Sequence, residues 1–213
     1  MTKLSFEAIG SKVERFAASP TLSIRLRVNE ATSTPVHTIA LRAQVQIEPQ
    51  YRRYAADESA LLVELFGDPS RYSDTMRPLL WTHVSHMVLG FQDQTEFDLP
   101  IPCSYDFEVG AHKYLAALGD GEIPVNLLFS GSVFVRGEHG GVATELVPWT
   151  CEARYRLPVA VWREAMDAFF PGGAWIRINR DVFEEVYRFK TAAGLPTWDA
   201  ALTRLLELSR IER

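Results

Sequence analysis

The sequence has few cysteines, few histidines, no long apolar run and no large excess of either charge. Two cysteines, Cys103 and Cys151, in 213 residues are too few for a disulfide-built fold. No C-x-x-C pair and no H-E-x-x-H spacing offers a zinc site, so no metal and no cofactor is expected. The opening "MTKLSFEAIGSKVERF" lacks the apolar h-region of a secretory signal. The two thiols therefore read as reduced, buried and cytoplasmic. No apolar run approaches the roughly 20 residues that span a bilayer, so membrane insertion is not expected. A net charge of −5 is the wrong sign for a protein that lives on phosphate backbones, which speaks against nucleic acid. Phosphate loop, dinucleotide fingerprint and G-x-S-x-G elbow are all missing.

What is present is material for a core. Hydrophobic residues make up 47% of the chain and aromatics 11%, enough to bury a domain without staples. No repeat, low-complexity tract or linker divides it, so a single domain over 1–213 is expected. Its β-rich core would cover about 21–156 and its helical C-terminal region about 158–211.

The β signal is alternation. Leu22, Ile24, Leu26 and Val28 alternate with Ser23, Arg25 and Arg27; Ile39, Leu41, Ala43, Val45 and Ile47 alternate with Arg42, Gln44 and Gln46. Period two marks strands with one buried face. The turn-rich link "EATSTP" predicts that these two strands form an antiparallel hairpin. Arg25 and Arg27 read as a solvated face rather than an anion stripe. Phe97, Leu99 and Ile101 alternate too, with Pro100 and Pro102 confining that piece to an edge or a bulge. A longer hairpin is predicted from Val125 to Val135, around "GEHGG", and back to about Tyr155, with Trp149, Cys151, Ala153 and Tyr155 on one face.

Helices are expected elsewhere. Phe6, Ile9, Val13 and Phe16 suit a short amphipathic helix or an ordered arm. "DESALLVELFGDP" predicts a helix capped at Asp57 or a neighbour and stopped by Gly67 and Pro69. "GAHKYLAALGDGEIP" predicts another, with His112 exposed. "PVAVWREAMDAFF" places Val161, Ala165, Ala168 and Phe169 at helical spacing. The last two, capped by Asn179 and Thr197, form an αα-hairpin. Their apolar stripes read first as packing on the sheet and second as a partner-binding surface.

"LLWTHVSHMVLGF", Leu79 to Phe91, holds two of the five histidines. On a helix, His83 and His86 would share a face. On a strand, an offset of three puts them on opposite faces. Aromatic and β-branched neighbours favour the strand, which removes a shared metal site.

The ordered run of "RYAADESALLVELFGDPSRYSDTMRPLLWTHV", "EFDLPIPCSYDFEVGAHKYLAAL", "IPVNLLFSGSVF" and "WTCEARYRLPVAVWREAMDAFFPGGAWIRI" resembles a family of actinobacterial proteins of unknown function. The resemblance implies genes often encoded beside those of a nickel–iron hydrogenase. An accessory or assembly role follows, with a hydrogenase subunit or maturation factor as protein partner. It transfers no catalytic residue.

The expected fold is α+β, an antiparallel sheet or sandwich core with inserted helices and a C-terminal helical hairpin. The expected function is a non-enzymatic protein that binds a partner through a sheet edge or the helical pair. A second class is an enzyme or small-ligand binder whose pocket, between sheet and helices, is lined by Trp81, His83, Cys103, Tyr105 and Trp149. A third is a structural subunit that self-associates through an edge strand.

Overall fold

The computed structural model describes residues 2–103, 110–137, 141–173 and 178–211. Two compact units divide the chain, Met1–Ala174 and Trp175–Arg213. The first is an α+β sandwich of two antiparallel sheets. One sheet has the order β1-β2-β5, with β1 Leu4–Val13, β2 Thr21–Glu30 and β5 Gln94–Pro102. The other runs β4-β3-β6, with β4 Leu79–Phe91, β3 Val36–Ile47 and β6 Glu122–Arg136. The far side of β6 is shared by β7 Val142–Leu146 and β8 Glu152–Pro158. Helices α1 Ala56–Phe66, α2 Tyr72–Thr75, α3 Gly110–Ala117 and α4 Val159–Phe169 complete the unit. The second unit is the helical pair α5 Arg180–Ala192 and α6 Trp198–Ile211.

Alternation builds the core as expected. Leu22, Ile24, Leu26 and Val28 face Ile39, Leu41, Ala43, Val45 and Ile47 across the sandwich, all buried. Each Leu, Ile or Val among them contributes about 1.5–3 kcal/mol by leaving water. Phe6 stacks on Phe129, ring centroids 4.2 Å apart, and ties β1 to β6. The outward face of the smaller sheet is self-neutralised. Arg27 bonds Glu96 at 2.9 Å and Glu7 at 3.1 Å, Arg25 bonds Glu96 at 3.1 Å, and Lys12 bonds Asp98 at 2.7 Å. The two arginines of β2 are thus a solvated ion-pair ladder, and β5 with its prolines is the edge strand that Pro100 and Pro102 predicted.

Several expectations are corrected. The first residues form a strand, not a helix or an arm: Leu4 and Phe6 point inward at period two, and Phe16 is fully exposed beyond the strand end. β2 and β3 do not form a hairpin. β2 pairs with β1 and β5, whereas β3 pairs with β4 and β6. The cause sits in the link. Glu30 is buried, and its carboxylate accepts the N–H groups of Lys3 (2.8 Å), Thr32 (3.0 Å) and Thr34 (2.8 Å). Gathering those donors turns the chain out of one sheet and into the other. The return strand after β6 is likewise not continuous. Pro148 lies between β7 and β8, and Trp149 leaves the face of Cys151 and Ala153 to stand 91% exposed. His112 is buried, not exposed. In α4 the inward residues are Val159, Trp162, Ala165 and Met166, while Ala168 is exposed. The predicted turn residues 138–140 and Tyr105 lie outside the described residues.

Burial drives the Glu30 carboxyl up. The N–H of Lys3, the Thr32 hydroxyl and the N–H groups of Thr34 and Thr32 outweigh it and hold the group below its usual range. A lowered folded value adds stability above the unfolded pKa and loses it as pH falls through the folded one. Wild-type melting temperature should therefore drop more steeply between about pH 5 and pH 3 than that of Glu30→Gln. Parallel slopes in thermal melts would remove Glu30 from the account.

Candidate functional site

The outward face of the five-stranded sheet is assembled from rows of residues that the register brings side by side. Met87, Ala40, Ser132 and Leu146 form one row across β4, β3, β6 and β7. Ser85, Arg42 and Ser130 form the next. Leu89, Thr38, Phe134 and Thr144 form the row on the other side. Small side chains in the middle and long ones at the flanks leave a trough of about 540 Å³, lined by Ala40, Arg42, Ser85, Met87, Ser130 and Leu146 among others.

Gly131 lets the strands close beneath it. Its φ is +134°, and a Cβ there would lie 2.0 Å from the Ala40 carbonyl oxygen. Only glycine accepts that backbone and that approach.

Two features of the trough bear on chemistry. Arg42 is exposed, sits between two serine hydroxyls in its row, and has no hydrogen-bond or ion-pair partner among the described residues. The arginines of β2, by contrast, are occupied by glutamates. A guanidinium fork with flanking hydroxyls suits a carboxylate. Beside it stand Leu89, 81% exposed, and Leu146, 75% exposed, together with Met87.

The five residues expected to line a pocket fare differently. His83 and His86 leave β4 on opposite sides. His83 is exposed on the outward face opposite Gln44, while His86 turns inward and stacks on Phe97 at 4.8 Å. Burial holds the His86 imidazole below its usual value. Trp81 is buried, and its Nε1 has no hydrogen-bond partner among the described residues. Cys103 is buried, and desolvation pushes its thiol up to about 12. Burial raises the Cys151 thiol as well. Both thiols stay protonated at neutral pH and are poor nucleophiles. None of Trp81, His83, Cys103 or Trp149 lines the trough. Among the described residues no three of His, Cys, Asp and Glu are grouped to hold a metal, and no helix is long and apolar enough to cross a membrane.

The trough itself was not read from the sequence. Arg42 and Gln44 were legible as the outward side of β3, and "FSGS" as mid-strand. Their juxtaposition with Ser85 and Leu146 is a matter of register between distant segments, for which one sequence holds no signal.

A buried polar cluster lies elsewhere. Arg52 and Glu58 pair through two bonds of 2.9 Å, both side chains buried. Glu58 also accepts the N–H of Gly119 at 2.7 Å and of Ala55 at 3.2 Å. Tyr54 and Tyr114 share a hydroxyl contact of 2.9 Å beside them. Desolvation pushes the Tyr114 phenol up to about 12 and Tyr54 up as well. The cluster's two charges are matched to each other. It fastens α1 to the end of α3.

The chain belongs to a family of unknown function, DUF6084, over residues 1–213. No curated protein matches it. Among solved structures, a Bordetella pertussis protein assigned as ApaA is 10% identical with a TM-score of 0.29, covering 73% of this chain and 93% of that one. β-Glucosidase 3B from Thermotoga neapolitana in complex with α-D-glucose is 11% identical with a TM-score of 0.24, covering 73% and 17%. Likenesses of this size carry no argument about fold or function.

Proposed function

We propose that this member of a family of unknown function is a non-enzymatic accessory protein. It binds a protein partner through the outward face of its five-stranded sheet. The observation that carries the reading is Arg42: a guanidinium between Ser85 and Ser130 with no partner among the described residues, beside the exposed Met87, Leu89 and Leu146. The segment that fits is apolar and bears one carboxylate. The resemblance in the sequence supports a subunit or maturation factor of a nickel–iron hydrogenase as that partner. It also supports an actinobacterial cytoplasm as the place of action.

The test is affinity purification of the tagged chain from its native host, run beside Arg42→Glu, with the bound protein identified and its affinity then measured. Loss of a charge-assisted hydrogen bond weakens binding by about 10- to 100-fold. The expected result is recovery of a hydrogenase subunit or maturation factor by the wild type and its loss from Arg42→Glu. Equal recovery by both chains, or no partner from either, would overturn the proposal.

A further inference from the structure

The second unit, Trp175–Arg213, is a hairpin closed by Gly194 at φ +65°, with the Leu195 N–H reaching back to the Lys190 carbonyl at 3.0 Å. Thr197 caps α6 by accepting the Ala200 N–H at 3.1 Å, as its sequence predicted; Asn179 makes no such side-chain bond at α5. Inside the hairpin, Trp198 packs on Phe183 and Tyr187, with Lys190 over its ring. Yet no residue of α5 is buried, and Ala201 alone is buried in α6. A unit below about 40 residues lacks the core to hold itself and needs a metal, a disulfide or association.

One stripe of α6 indicates what covers it. Asp199, Leu202, Leu206 and Arg210 follow each other at spacings of three, four and four, on one line along the helix. Leu206 is 59% exposed and Leu202 is exposed beside it. Neither Asp199 nor Arg210 has a partner among the described residues. The macrodipole accounts for an acid at the start of the helix and a base at its end. It does not account for both lying on the line of exposed leucines. A two-fold axis near the middle of α6 does: in an antiparallel α6–α6 contact, Asp199 of one copy meets Arg210 of the other, and Leu202 meets Leu206. The stripe is complementary to itself, as an isologous interface requires.

We propose that the α5–α6 hairpin is a self-association module, and that a second copy of the chain covers the α6 stripe, two hairpins forming an antiparallel four-helix bundle. The occupant is this same protein, independent of the partner on the sheet face.

The experiment is sedimentation equilibrium on the full chain, with circular dichroism confirming the fold of each variant. The wild type should be a dimer, and Leu206→Glu a folded monomer. Asp199→Lys and Arg210→Glu each set like charges against each other across the axis, and each should weaken the dimer about tenfold. Mixing those two variants one to one should restore wild-type affinity as a heterodimer, because the lysine introduced at position 199 of one copy then meets the glutamate introduced at position 210 of the other, while Arg210 and Asp199 re-form the native pair. A monomeric wild type, an unimpaired Leu206→Glu dimer, or a mixture no tighter than its components would each overturn the proposal. A wild-type monomer would assign the stripe to another occupant, whether a different protein or this chain itself.

Discussion

Glu58→Ala should cost about 3–5 kcal/mol of folding free energy, a large part of what a domain of this size possesses. The reason is what the substitution leaves behind. The Arg52 guanidinium is buried, donates to both Glu58 oxygens and gives a further bond of 2.5 Å to the Asp120 carbonyl. Removing the carboxylate strands that charge out of water and orphans the N–H groups of Gly119 and Ala55. An unmatched buried charge costs more than the intact pair contributes. Glu58→Gln keeps the shape and some of the bonds, and should fall between. Burial pushes the Glu58 carboxyl up, but Arg52 and the N–H groups of Gly119 and Ala55 hold it below its ordinary range. Its contribution is therefore complete above the unfolded pKa and fades as pH falls through the folded value. Urea denaturation at neutral pH is the measurement. A loss below about 1 kcal/mol would mean that water reaches the pair and the cluster is not dry.

The second large effect is expected at Gly131. Gly131→Ala would place a methyl group 2.0 Å from the Ala40 carbonyl oxygen and 3.1 Å from its carbon, at φ +134°. The obstacle is backbone, so no side-chain rotation relieves it. Strain in that region costs about 1–3 kcal/mol by itself, and parting β3 from β6 adds to it. A total of about 3–5 kcal/mol is expected, in the range that marks a specific structural cause. Gly10→Ala is the control. It also lies in a strand, yet a Cβ there meets nothing within 4 Å, so its midpoint should stay within about 0.5 kcal/mol of wild type. The two midpoints, read from the same denaturant titration, decide the matter. Coincidence of the two would show that β6 can slide away from β3 without penalty. Because Gly131 lies between Ser130 and Ser132, the proposed Arg42-dependent partner affinity should fall with it.

Where the sequence and the structure part, the segment itself fits two arrangements and its neighbours choose. Phe6, Ile9, Val13 and Phe16 fit a helical stripe, but Leu4 and Phe6 fit a strand equally well, and β2 beside them chose the strand. The link after β2 has turn composition whichever sheet it leads into; the buried Glu30, collecting N–H groups from three directions, decided that it crosses. Trp149 shares parity with Cys151 only if no break intervenes, and Pro148 stands at one. His112 could be placed on α3 but not assigned to its buried side, since what lies against a short helix is not written in its own period.

Taken alone, the sequence determined the local geometry of most of the sandwich: β2 through β6 as pleated segments, the apolar sides of β2, β3 and β5, and the opposed directions of His83 and His86 on β4. Alternation is a property of neighbours on one chain, so it is legible there. The tertiary structure alone decided which strand lies beside which. Apolar burial drives pairing without direction, and backbone hydrogen bonds are alike along every strand. That choice is what aligned Ser85, Arg42 and Ser130 in one row and left the guanidinium without a partner among the described residues.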